Sequence, residues 1–155
     1  MEWKFLEADR SAQLLALVAA TEGGGQNEIP VGAVICAANG KILAYSPNQS
    51  LKNHDPIGHA EIRVLRQAAQ RMENYRLSGA VLTVSLQPCP MCLFAANIAR
   101  INKINYLAQQ FFPNINSQYI EIKNKSSYAS TNQEDPMTLA AGNLLRFFFE
   151  KKRAI

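Results

Sequence analysis

Only three cysteines and two histidines occur in the 155 residues. An odd number of cysteines is a poor basis for a disulfide framework, which argues against a small, cross-linked secreted scaffold. No apolar run approaches the roughly 20 residues needed to span a bilayer. The first 20 residues carry Glu2, Glu7 and Asp9 and lack the basic-then-apolar order of an export signal. Internal repeats and low-complexity tracts are also missing. Charged residues make up 18% and hydrophobic residues 48%, the composition of a chain that folds compactly. The expectation is a cytoplasmic protein with reduced thiols and no membrane partner.

At this length residues 1–155 read as one domain, able to bury about 70% of its extended surface without a metal or disulfide merely to fold. The net charge is +4, and the basic residues Arg146, Lys151, Lys152 and Arg153 gather near the C-terminus. Such a tail suits a polyanionic partner. It equally suits a solvated helix end, where exposed carbonyls favour cations.

Trp3, Leu6, Arg10, Leu14, Leu17 and Val18 recur at three- and four-residue gaps, which predicts an amphipathic helix ending at Gly23-Gly24-Gly25. Val31 to Ala38 and Lys41 to Tyr45, on either side of Asn39-Gly40, read as a hairpin. Pro47 to Gly58 reads as a loop. A helix is expected from His59 to just before Asn74, a strand over Ala80 to Leu86, a helix over Met91 to Ile101 and a strand over Ile104 to Ala108. Tyr119 to Ile122 is the candidate fifth strand, and Lys123 to Asp135 is expected to be irregular. Pro136 is well placed to open a last helix, Met137 to Lys152. Alternating elements of this kind call for an α/β fold in three layers, α-β-α, with a mixed five-stranded sheet flanked by helices.

The chemistry concentrates in two short segments. His59-Ala60-Glu61 opens one expected helix, and Pro88-Cys89-Pro90-Met91-Cys92 opens another. A Cys-x-x-Cys pair alone has three readings: a redox pair, half of a structural zinc site, or two of three ligands at a catalytic zinc. A structural site needs a fourth ligand, and only Cys36 and His54 are left to supply it. The three-ligand reading fits best. Two sulfurs three residues apart at a helix start can face one metal, and the helix amides favour thiolate. The His59 imidazole would complete the protein set and leave a fourth position for water, the mark of a catalytic zinc. Glu61, two residues on, is then placed to move protons as general base and acid. Its competing role is a first-turn acid favoured by the helix field.

His-x-Glu followed by Pro-Cys-x-x-Cys is the signature of the zinc nucleobase deaminases, and the sequence resembles the cytidine and deoxycytidylate deaminase superfamily. Within it, the chain is most similar to the bacterial tRNA-specific adenosine deaminases. Val31-Gly32-Ala33-Val34, Asn48, His54-Asp55-Pro56 and Asn74-Tyr75-Arg76-Leu77 carry that similarity beyond the zinc motif. The resemblance implies a cytidine-deaminase-like fold and one Zn2+ per subunit held by His59, Cys89 and Cys92. It implies hydrolytic deamination of a base, adenosine to inosine at the tRNA wobble position, with Glu61 as the catalytic residue and ammonia released. Asn48, Ala60 and Pro88 would line the base, and Phe148, Phe149, Lys151, Lys152 and Arg153 would meet RNA. A homodimer is implied too, with Leu93 to Ile98 available to a partner. Gln87 stands where tRNA-editing members have Glu, and Ala108 to Pro113 replaces an Asp- and Gly-rich segment. A deaminase of free guanine, adenine or cytosine, or of their nucleosides, is therefore the alternative. A catalytically silent nucleic-acid binding paralogue is a more distant one.

Overall fold

The computed structural model describes the backbone of residues 2–110, 127–130 and 132–154, and the side chains of 9–110 and 132–154. Helix α1 spans Glu2–Gly25. It closes at the last residue of the glycine run, as expected. Gly23 and Gly24 face Pro47 and Pro30 so closely that an added Cβ would lie 3.1 and 3.2 Å from those rings. Two residues on, Asn27 turns the chain in the left-handed region with φ 63°, a conformation asparagine tolerates better than most residues.

The face that α1 buries also differs from the expected one. Ala12, Ala16, Ala19 and Ala20 are buried, whereas Leu14 and Val18 are 51% and 41% exposed. The reason lies in strand β1, Gly32–Cys36, which passes so near the helix backbone that only small side chains fit between them. Trp3 and Leu6 lie outside the residues whose side chains are described.

The hairpin forms as expected. Gly40 adopts φ 83°, Ala37 and Lys41 close the turn by a 2.8 Å backbone bond, and β2 returns over Ile42–Pro47. A short helix missed in the sequence, α2 (Ser50–Asn53), interrupts the following loop. Then come α3 (Ala60–Met72), β3 (Val81–Leu86), α4 (Pro90–Ile98) and β4 (Lys103–Ala108). The last helix, α5, spans Pro136–Arg153 and is capped by Asp135, whose side chain accepts from the Met137 N–H.

The expected five-stranded sheet needs correction. Strands β2, β1, β3 and β4, each of five or six residues, make a mixed four-stranded sheet. Its first two pairings are antiparallel and its third is parallel. Tyr119 to Ile122, the expected fifth strand, lies outside the described residues. What runs beside β4 instead is a four-residue strip, Ser127–Ser130 (β5), extending the hydrogen-bonded order to β2-β1-β3-β4-β5. This stretch was expected to be irregular because a short run of serine, tyrosine and alanine has too little apolar alternation to announce a strand.

Helices α3 and α4 cover one face of the sheet, and α1 and α5 the other. Strand β1 shows the division residue by residue. Ala33 and Ile35 join Val64, Leu82, Leu93 and Ile104 in the main core, whereas Val34 packs with Ala12 and Ala16. Among the described residues no helix is long and apolar enough to cross a membrane.

Candidate active site

Strands β3 and β4 run parallel, and β3 delivers the chain into Pro88-Cys89 at its carboxyl end, the edge of an α/β sheet where ligands bind. Gln87 donates its N–H to the Ala108 carbonyl at 2.8 Å, and its Oε1 accepts from the Gln110 N–H at 3.1 Å. The departures at Gln87 and after β4 therefore touch one another.

His59 is the N-cap of α3 and Cys89 the N-cap of α4, both with extended backbone. Their carbonyls open the helices, accepting from Arg63 and Leu93 at 3.1 and 3.0 Å. Neither side chain caps its own helix. Both turn toward one point instead. The His59 Nδ1 lies 3.6 Å from Cys89 Sγ and 3.5 Å from Cys92 Sγ, and all three ligand atoms lie within 4.8 Å of one another. A tetrahedral zinc with Zn–N about 2.1 Å and Zn–S about 2.3 Å needs an N···S edge of about 3.6 Å. The donor set fits that metal.

The electrostatics of the cluster are those of a site built for a cation. The Cys92 side chain, helped by His59 and opposed by burial, holds the Cys89 thiol down to about 4. Its partner Cys92 is pushed far up by the Cys89 sulfur and by burial. The bond to Cys89 raises the His59 imidazole against the opposing effect of burial. Burial pushes the Glu61 carboxyl up to about 7; its own backbone N–H and the His59 charge act against that shift. A dication among these groups would favour both thiolates and draw the carboxyl back down.

The other expected site residues fall into two groups. Ala60 and Pro88, beside the ligands, are buried, as is Asn48. Asn48 adjoins Gln49, whose N–H donates to the Gly58 carbonyl at 2.9 Å, one residue before His59. The Asn48 carboxamide donates to Glu28 Oε1 at 3.0 Å and to Ser50 Oγ at 3.2 Å. Glu28 was not singled out in the sequence, since nothing local marks an acid before Ile29-Pro30 as buried. His54 is exposed and Cys36 is half-buried in β1; neither joins the metal cluster.

The aromatic and basic residues lie far along α5. Phe148 and Phe149 meet edge to face at 5.3 Å, and Lys152 Nζ sits 5.7 Å from the Phe148 ring centre. Phe147, not among the expected residues, is the most exposed of the three at 70%. Lys151, Lys152 and Arg153 all face solvent.

Residues 6–108 match the model of the cytidine and deoxycytidylate deaminase zinc-binding region. The chain belongs to this family. A tRNA-specific adenosine deaminase of Buchnera aphidicola is 38% identical over 133 residues, 83% of this chain and 80% of that protein. Another, from Agrobacterium fabrum, is 43% identical over 95 residues, 61% of this chain, and the match spans only 62% of that relative's length. One similar structure comes from work on A-to-I editing by tRNA:A34 deaminases at the wobble position. It has a TM-score of 0.76 and 30% identity, covering 88% of this chain and 99% of that one. A guanine deaminase structure from Bacillus subtilis has a TM-score of 0.61 and 35% identity, covering 64% of each chain. In this chain the matched region takes in every residue of the metal cluster, and α5 lies beyond it.

Proposed function

We propose that the chain is a zinc-dependent hydrolase that deaminates adenosine to inosine at the wobble position of a tRNA. The observation that carries the reading is the convergence of one imidazole nitrogen and two sulfurs at tetrahedral spacing, with the buried Glu61 carboxylate two residues from His59. Residues 1–155 act as one domain, with one zinc per subunit held by His59, Cys89 and Cys92. Zinc bound there supplies a polarised water that is nucleophilic near neutral pH.

Glu61 takes a proton from the attacking water and passes it to the ring nitrogen beside the carbon under attack. It then carries a second proton to the amino group, so the C–N bond breaks and ammonia leaves. Water adds, ammonia departs, and the carboxylate is regenerated. Ala60 and Pro88 pack against the ring, and Asn48 hydrogen-bonds its edge. Phe148, Phe149, Lys151, Lys152 and Arg153 meet the RNA, where exposed aromatic rings stack on bases and cations pair with phosphates.

The adenosine deaminase relatives and the tRNA:A34 deaminase structure support the RNA substrate. The 35% identity to a guanine deaminase supports a second reading, a free purine base. Ammonia release decides between them when anticodon stem-loop RNA is compared with adenosine, adenine, guanine and cytosine. RNA turnover should be strongly preferred, with kcat/KM falling steeply as salt rises. Guanine turnover with inert RNA would select the second reading, and no ammonia from any substrate would overturn both.

We also propose a homodimer. In the Leu93 to Ile98 stretch, Leu93 and Ala96 are already buried within the chain, but Phe94 and Ile98 point outward, Ile98 with 68% of its surface exposed. Ile98→Glu should therefore shift sedimentation from dimer toward monomer at micromolar concentration. An unchanged dimer would remove α4 from the interface.

A further inference from the structure

Glu28 lies in the turn between α1 and β1 and is 2% exposed, an unusual place for a carboxylate unless it is fully bonded. Four donors reach it. Oε1 accepts from the Ile29 N–H at 2.9 Å and from Asn48 Nδ2 at 3.0 Å. Oε2 accepts from the Leu51 and Lys52 N–H groups at 2.9 and 3.0 Å. All four acceptor sites of an ionised carboxylate are thus used. Burial pushes the Glu28 carboxyl up, but the four hydrogen bonds together outweigh it and hold the group below its ordinary range. The two oxygens have separate tasks. Oε2 pins the first turn of α2, and Oε1 holds the side chain of Asn48.

An ionised carboxylate only accepts, so the amide beside it must present its NH2. The second Nδ2 proton has Ser50 Oγ at 3.2 Å. Both donors of Asn48 are therefore taken within the loop. Oδ1 makes no hydrogen bond among the described residues, and it is not sealed away as Thr83 Oγ1 is.

We propose that Glu28 is a positioning residue for base recognition, fixing the Asn48 carboxamide so that the loop offers an acceptor, Oδ1, to an N–H on the base edge. This rests on the proposed contact between Asn48 and the base. A plain structural brace would need Glu28 only for the α2 turn, and a neutral glutamine could keep that function through its one oxygen. With that oxygen on Leu51 and Lys52, the new NH2 faces Asn48, whose amide then flips and presents the wrong group to the substrate. The Ile29 N–H loses its partner as well.

The test is a four-member cycle of wild type, Glu28→Gln, Asn48→Asp and the double variant. Each zinc-loaded protein is assayed for KM and kcat on the substrate that wild type deaminates, for adenosine Kd by calorimetry and for thermal stability. In Glu28→Gln, KM and Kd should rise roughly tenfold, the loss of one well-placed hydrogen bond, with kcat nearly unchanged. Asn48→Asp sets two carboxylates together and should bind at least as poorly. In the double variant the amide introduced at position 28 donates to the carboxylate introduced at position 48, which restores a fixed acceptor. Its KM and Kd should return to within about threefold of wild type, a coupling only adjacent groups show, although its stability stays lower. Unchanged KM and Kd in Glu28→Gln, or a double variant no better than the worse single, overturns the proposal. Wild type that releases no ammonia indicts the enzymatic reading instead, and Kd still judges Glu28.

Discussion

Glu61→Gln should cut turnover by about 10³-fold, within the 10²–10⁴ range for a lost general acid–base group, while zinc content stays that of wild type. The expectation follows from the arrangement of α3. His59 precedes the helix with extended backbone and faces the sulfurs, and Glu61 is buried inside the first turn. The side chains share a neighbourhood without sharing a ligand role, because the tetrahedral edges involve Nδ1 and the two sulfurs alone. Glutamine keeps the shape and a hydrogen-bond acceptor but cannot take a proton. Single-turnover ammonia release paired with metal analysis separates the possibilities. Loss of zinc together with activity would make Glu61 a ligand or a structural support, and turnover within tenfold of wild type would remove it from proton transfer.

The metal cluster was legible in the sequence because each half is local. Two residues separate Cys89 from Cys92, and helix starts near His59 and Met91 follow from the loop that ends at Gly58 and the turn that Pro88 and Pro90 bracket. Bringing the halves together needs the parallel pairing of β3 with β4 and the packing of α3 on α4, which alternating elements predict only in outline. Glu28 was illegible for the opposite reason. Its partners Asn48, Leu51 and Lys52 lie 20 to 24 residues away, and no periodicity reports a bond across that distance. On α5, Phe148 and Phe149 were visible as an aromatic pair, but which ring turns outward depends on how the helix lies on α1 and β4. That packing leaves the adjacent Phe147 the most exposed of the run.

Helix α1 shows where a sequence pattern can mislead. Leucine and valine at helical spacing are ordinarily the buried stripe, yet here Leu14 and Val18 face outward and alanines face the sheet. The deciding quantity is the clearance between α1 and β1 at Gly32, not hydrophobicity. A helix that approaches a strand to backbone contact excludes branched side chains from the interface, and its apolar residues are left elsewhere on the surface.

That close approach predicts the largest stability effect in the fold, at Gly32→Ala. A Cβ there would lie 2.1 Å from the Ala16 carbonyl oxygen, 2.5 Å from the Ala20 nitrogen and 2.7 Å from the Ala19 Cβ. Two of these atoms are helix backbone, so no rotamer change relieves the overlap and α1 must move outward as a body. Strand β1 cannot yield in its place, being hydrogen-bonded to β2 on one side and β3 on the other, with the Gly32 N–H held by Ser85 Oγ at 3.0 Å. The cost should reach roughly 3 kcal/mol, the upper part of the range for overpacked cores. For a domain of this size that lowers Tm by about 10 °C. Gly25→Ala is the matched control, since an added Cβ there meets nothing within 4 Å, and it should leave Tm unchanged or slightly raised. Thermal denaturation of both variants by circular dichroism gives the comparison. Equal melting temperatures would mean that α1 rides freely over β1, and the exclusion of its leucines would need another cause.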